Sequence, residues 1–256
     1  MTPVLAIARL VIKEIFRKKD FYVALVLIGV ILFYAQSLQF YDVKSVSRYL
    51  MEIGLALIYF FSVILTAALA ARQYPSEVQN RTGPLLLAKP VSRAQFVLGK
   101  WLGSFLAGAS AFAVFYALFL GIVWVKAGGL SGPLAAQAFY LFLLNLLVLS
   151  AMASAFSYRL TVSANVTISL VLYVLVNTYG ATLRESASGF SAPMRLACDA
   201  LYFSCPHFEF FDLRQRFIHD WPALSVGMLG VLTLYAVVYA AAFLFWACAA
   251  IKKRSL

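Results

Sequence analysis

The sequence predicts an all-α membrane protein with six transmembrane helices, preceded by an amphipathic helix at the interface. Three observations carry this. Hydrophobic residues make up 63% of the 256-residue chain and charged residues only 12%, about half the usual charged share. A soluble fold of this length cannot hide that much apolar surface, so its solvent is lipid. Six apolar segments meet the roughly 20 residues that a hydrocarbon core of about 30 Å asks of a helix. They are Phe21–Phe40, Ile53–Ala71, Trp101–Val125, Leu134–Ser157, Val162–Leu183 and Ala223–Ile251. Their length and the lack of period-2 alternation favour helices over a barrel. Lastly, the basic residues gather on one side. With an even number of spans, both termini share a face with residues 72–100 and Arg159; that face holds 14 basic residues against three acids, the other seven of each. The whole net charge of +11 then lies on one side, which the positive-inside rule makes the cytoplasm. The charge hugs membrane ends and forms no independent domain, so nucleic acid is not an expected partner, whereas the lipid bilayer is.

Pro3 to Lys19 reads as an interfacial helix. Arg9, Lys13 and Arg17 recur every four residues and share one face, with Val4, Ala8, Val11, Ile12 and Ile15 opposite. Such a helix turns its basic face toward headgroup phosphates or a partner. The first span, Phe21–Phe40, does not read as a signal peptide, being too long and lacking a small-residue cleavage site. Its aromatic end leads into a short, charge-balanced outer loop, Tyr41 to Glu52.

The second span ends at Arg72, and residues 72–100 form the one long basic interruption of the first half, with five cations against Glu77. Pro75 is expected to break the helix. Ser76-x-x-Gln79 then offers a capping box for a new short helix. Gly83-Pro84 and Pro90 bound a greasy turn, Leu85, Leu86 and Leu87. Ser92-x-x-Gln95 is a second capping box, just before the third span. A topology-fixing connector would need the charges, but neither the capping boxes nor the proline-bounded leucines.

Arg81-Thr82, then Leu85 to Arg93 (LLLAKPVSR), then Leu98-Gly99-Lys100-Trp101-Leu102-Gly103 resembles the permease subunits of type-2 ABC exporters. The pattern is a threonine, a leucine pair, Pro-Val/Ile-Ser-Arg and a Gly-Lys before the third span. The sequence departs from it at Gly83-Pro84, where the family more often has an apolar and an acidic residue. The resemblance implies one permease domain over 1–256, forming half of a translocation pathway in the bacterial cytoplasmic (inner) membrane, with both termini cytoplasmic. It implies a cytoplasmic coupling helix between spans two and three that docks into ABC ATPase subunits. Glu77, Arg81, Thr82, Leu85, Leu86, Leu87, Pro90, Ser92 and Arg93 would make that contact. A second permease copy, identical or related, would complete the pathway. ATP and Mg would be held by the ATPase, and no cofactor by this chain. No Gly-x4-Gly-Lys-Ser/Thr loop occurs, so the chain itself is not expected to be an enzyme.

The third span spaces Gly99, Gly103, Ala107 and Ala111 by four, a face that another helix can approach closely. Asn145, Asn165 and Asn177 lie inside spans; each is a candidate for lining the pathway or for bonding a neighbouring helix. No span carries a charge at mid-depth, which counts against an ion-driven transporter. Residues 184–222 form the longest outer loop, aromatic and of mixed charge, suited to short helices at or dipping into the interface before span six. Cys198, Cys205 and His207 in this loop leave a disulfide, a metal site and free thiols all open. Two other classes compete with the transporter: a non-transporting membrane scaffold or assembly subunit of an ABC-type complex, and an intramembrane lipid transferase. The second lacks paired acids or metal ligands at membrane depth.

Overall fold

The computed structural model describes residues 3–17, 22, 26, 29–30, 43–79, 92–127, 132–186, 205–219 and 221–252. These form seven α-helices and one 3-10 turn, and no strand occurs among them. The helices are α1 (Pro3–Arg17), α2 (Val43–Gln79), α3 (Arg93–Ala127), α4 (Gly132–Ser157), α5 (Val162–Ser186), α6 (Arg214–Ile218) and α7 (Val226–Lys252), and the 3-10 turn is Phe208–Phe211. Four of them contain stretches long and apolar enough to cross a membrane: Met51–Pro75 in α2, Arg93–Trp124 in α3, Gly132–Ser157 in α4 and Val226–Ile251 in α7. The apolar part of α5, Val162–Thr178, is shorter. The first expected span lies almost wholly outside the described residues.

Two boundary expectations need correction. Pro75 does not end the second span, because α2 runs through it to Gln79. Proline is tolerated in membrane helices where neighbours hold the freed backbone. Here Tyr74, beside the proline, is buried with its ring 4.6 Å from that of Tyr158. Two residues before the proline, the Gln73 side-chain amide donates to the Leu69 carbonyl at 3.1 Å, a local tie within the same helix. Ser76-x-x-Gln79 is thus the last turn of α2 and opens no new helix. Nor is Tyr41–Glu52 a loop, since α2 is helical from Val43. Val43, Val46, Leu50 and Ile53 recur at i, i+3, i+7 and i+10, a helical stripe that continues into the span.

Helix α4 is the hub. It packs against α2, α3, α5 and α7, and has the largest buried share of the four spans. It is apolar on every side, as a helix surrounded by others must be. Phe112 of α3, Phe142 of α4 and Tyr59 of α2 form the aromatic centre, with Tyr59 stacked 3.7 Å from Phe142 and Phe112 4.6 Å from it. By contrast α7 exposes Val226, Val231, Leu234 and Phe245, so an equally apolar helix here faces lipid. Close approach is set by glycine. A Cβ on Gly108 would lie 3.1 Å from the Thr66 Cβ, so α3 and α2 meet backbone to side chain at that level.

Candidate functional site

The basic end of the bundle brings together α1, the end of α2, the start of α3, the α4–α5 turn and the end of α7. Its geometry is set by the start of α3. The Ser92 capping box forms as its sequence demands: the Gln95 backbone N–H donates to Ser92 Oγ at 3.2 Å, and the Ser92 N–H donates to Gln95 Oε1 at 3.0 Å. The cap places α3 eight residues earlier than the apolar run alone suggests. Arg93 then reaches across the fold, its Nη1 donating to the Ile251 carbonyl at 3.0 Å. A guanidinium on the last turn of α7 satisfies a carbonyl that the helix leaves open and matches the negative end of its dipole.

Three further ties fix this end. The Trp101 indole N–H donates to Ser150 Oγ at 3.0 Å, joining α3 to α4. Lys100 is buried, its ammonium 5.9 Å from the Phe96 ring. In the α4–α5 turn the Arg159 and Leu160 N–H groups both donate to the Phe156 carbonyl, and the Arg159 guanidinium lies 4.5 Å over the Trp246 ring of α7. Both ends of the polar connection thus stand on anchored helices. Glu77 lies in the final turn of α2. Arg81, Thr82, Leu85, Leu86, Leu87 and Pro90 lie outside the described residues.

Helix α1 packs along the start of α3. A Cβ on Gly99 would fall 2.7 Å from Ile7 Cβ and 3.1 Å from the Val4 carbonyl oxygen. One on Gly103 would fall 2.6 Å from Val11 Cβ and 3.0 Å from the Ala8 carbonyl oxygen. The small-residue face read from the sequence therefore receives α1, a partner the spacing did not name. Ile7, Ala8, Val11 and Ile15 are buried there, while Arg9, Lys13 and Arg17 are exposed.

The three asparagines separate. Asn165 is fully buried; its Nδ2 donates to the Ala153 carbonyl at 2.9 Å and its Oδ1 accepts from Ser169 at 3.1 Å, tying α5 to α4. Asn145 donates to the Tyr173 hydroxyl at 3.3 Å, while its buried Oδ1 has no partner. Asn177 is half-buried on α5.

At the opposite end the chain folds back into the bundle. Phe208, Phe211, Leu213 and Phe217 are buried, so the 3-10 turn and α6 insert between the helices. Asp212 and Arg214 form an ion pair, with Nε 2.8 Å and Nη2 2.6 Å from Oδ2, and the guanidinium lies 5.7 Å over the Tyr59 ring. Burial works against the Arg214 charge, but the hydrogen bonds and charge of Asp212 outweigh it and raise its pKa above the ordinary arginine value. Burial pushes the Cys205 thiol up and the His207 imidazole down, with Glu209 opposing the latter shift. Cys205 carries a free thiol, Cys198 lies outside the described residues, and no metal-binding cluster occurs among those described. The sequence did not single out the Asp212–Arg214 pair, because two charges in a mixed loop look like any solvated pair until the loop is seen to turn inward.

A groove of about 650 Å³ lies between α3 and α4 toward this end, lined by Ala117, Gly121, Trp124, Ala135 and Phe139. The Tyr116 hydroxyl beside it donates to the Ala135 carbonyl at 2.9 Å, so the groove offers packing surface and little chemistry. No curated protein matches the sequence. The family model described as ABC-2 family transporter protein matches residues 5–251, nearly the whole chain. With that match over nearly its whole length, this helical chain with four candidate membrane spans among its described residues belongs to the ABC-2 transporter family, as a permease subunit.

Proposed function

We propose that this chain is the membrane-spanning half of an ATP-driven exporter, worked from the cytoplasm by a separate ATPase subunit docked on residues 72–100, around the connection between α2 and α3. The observation that carries the reading is the anchoring of that connection. Helices α2 and α3 have 37 and 35 residues, about 55 and 52 Å at 1.5 Å per residue, against a hydrocarbon core of about 30 Å. At the basic end the helices run past their apolar stretches by residues 72–79 of α2 and 93–100 of α3, eight residues or about 12 Å each, which carries the connection beyond the hydrocarbon edge. The Ser92 cap and the Arg93–Ile251 bond fix the α3 extension. A push on Leu85, Leu86 and Leu87 would then reach α4 and α7 through packed helices. The basic end faces the cytoplasm because it gathers the excess of Lys and Arg. A second copy, identical or related, completes the pathway across the bacterial cytoplasmic membrane, and Asn145, with its open acceptor, is the better candidate of the three asparagines to line it. ATP and Mg belong to the partner.

The test replaces Leu86 and Leu87 together by Asp. The variant is expected to insert normally and to lose co-purification with its ATPase subunit. A complex of normal yield would overturn the reading. A non-transporting scaffold subunit would dock an ATPase in the same way, but no candidate cargo would stimulate ATP hydrolysis.

A further inference from the structure

Helix α1 carries a surface that the proposed coupling leaves unused. Its buried face, Ile7, Ala8, Val11 and Ile15, is committed to α3. On the face turned away, Arg9, Lys13 and Arg17 are all exposed and stand in one row at i, i+4 and i+8, about 12 Å end to end. The one carboxylate of α1, Glu14, is also exposed, so residues 3–17 carry a net charge of +2. Leu5 and Leu10, 51% and 60% exposed, flank the row. Its depth follows from its seat. Gly99 and Gly103 straddle the point where α3 passes from a stretch that holds Arg93 and Lys100 to an uncharged apolar run beginning at Trp101, which marks the edge of the hydrocarbon core. At that depth a row of cations bordered by bare leucines meets a molecule with phosphate at one level and hydrocarbon just below it.

We propose that this face of α1 binds anionic phospholipid headgroups and prefers them to zwitterionic ones. Each cation near such a surface favours the anionic lipid by about fivefold before screening. The leucines hold the row at headgroup level, and the glycine seat prevents α1 from turning its charges away. The proposal rests on the cytoplasmic placement of α1 given above but needs no ATPase, so it can fail while the coupling reading stands.

The full chain, purified in detergent without its ATPase, is exchanged into an equimolar mixture of phosphatidylglycerol and phosphatidylcholine with identical acyl chains. Retained lipids are counted by native mass spectrometry. The wild type is expected to retain phosphatidylglycerol at least about fivefold over phosphatidylcholine. The triple variant Arg9→Gln, Lys13→Gln, Arg17→Gln is expected to bring the ratio near one. A control, Arg9→Lys with Arg17→Lys, keeps the charge and should keep the preference, which separates loss of charge from loss of fold. A wild-type ratio near one, an unchanged ratio in the glutamine variant, or a preference lost in the lysine control would each overturn the proposal. So would a glutamine variant that keeps its lipid preference but no longer co-purifies with the ATPase, since the row would then serve a protein.

Discussion

Replacing Gly103 by Ala tests the seat of α1 through the sign of its effect. In the interior of a helix, Gly→Ala ordinarily stabilises by up to about 1 kcal/mol, because alanine loses less backbone entropy. At position 103 the added Cβ would fall 2.6 Å from Val11 Cβ, 2.8 Å from Val11 Cγ1 and 3.0 Å from the Ala8 carbonyl oxygen. Rotating the Val11 side chain relieves only the Cγ1 contact; its Cβ and the Ala8 carbonyl move only with the α1 backbone. Overpacking of this kind costs about 1–3 kcal/mol and outweighs the propensity gain. Gly121, in the same helix, has open space where its Cβ would be. Gly121→Ala should therefore be neutral or stabilising. The assay is thermal unfolding of both variants in one detergent and lipid mixture, at roughly 2–4 °C per kcal/mol for a chain of this size. With the propensity gain set against the overpacking, the net loss is about 1–2 kcal/mol, so Gly103→Ala is expected to lower the midpoint by about 2–8 °C and to speed amide exchange in α1. A midpoint at or above wild type, matching Gly121→Ala, would refute the packing of α1 on α3.

Three other substitutions probe separate joints. Ser92→Ala removes the hydroxyl that accepts from the Gln95 N–H; it should cost about 1 kcal/mol and raise exchange at Gln95 while leaving the middle of α3 protected. Asn165→Leu deletes both the bond to the Ala153 carbonyl and the acceptor of Ser169, for an expected loss of about 1–2 kcal/mol in detergent unfolding. His207 has its pKa lowered in the fold, chiefly by burial. Its neutral form therefore supports the fold above the unfolded value of about 6.5, and that support is lost as pH falls through the lower folded value. The wild-type midpoint should fall more between pH 7 and pH 5 than that of His207→Gln; equal slopes would exclude the histidine as a source of acid sensitivity.

Much of the architecture was legible because membrane helices announce themselves by length and composition. The expected spans three and four lie within α3 and α4, and the sixth lies within α7 except for its first three residues, Ala223 to Ser225. The Ser92–Gln95 box was legible because capping is a local event, settled by residues three apart. The misreadings fell where tertiary packing overrides a local rule. Pro75 reads as a breaker, yet α2 continues through it with the adjacent Tyr74 packed against Tyr158. The stripe Val43–Ile53 stands among charged residues that make it read as a loop, yet it is helical. Pair identity was invisible for the same reason. The sequence shows a small-residue face at Gly99 and Gly103 but not that α1 fills it, and it shows Arg93 but not the Ile251 carbonyl 158 residues away.

The central claim is that the bundle is driven from the cytoplasm through the connection between α2 and α3. The most direct measurement places that connection relative to the membrane. Lys89→Cys, in a chain whose Cys198, Cys205 and Cys248 are replaced by Ser, is exposed to a membrane-impermeant maleimide in sealed vesicles of each orientation. Rapid labelling in inside-out vesicles with protection in right-side-out ones is the predicted result, and the reverse pattern would contradict the account.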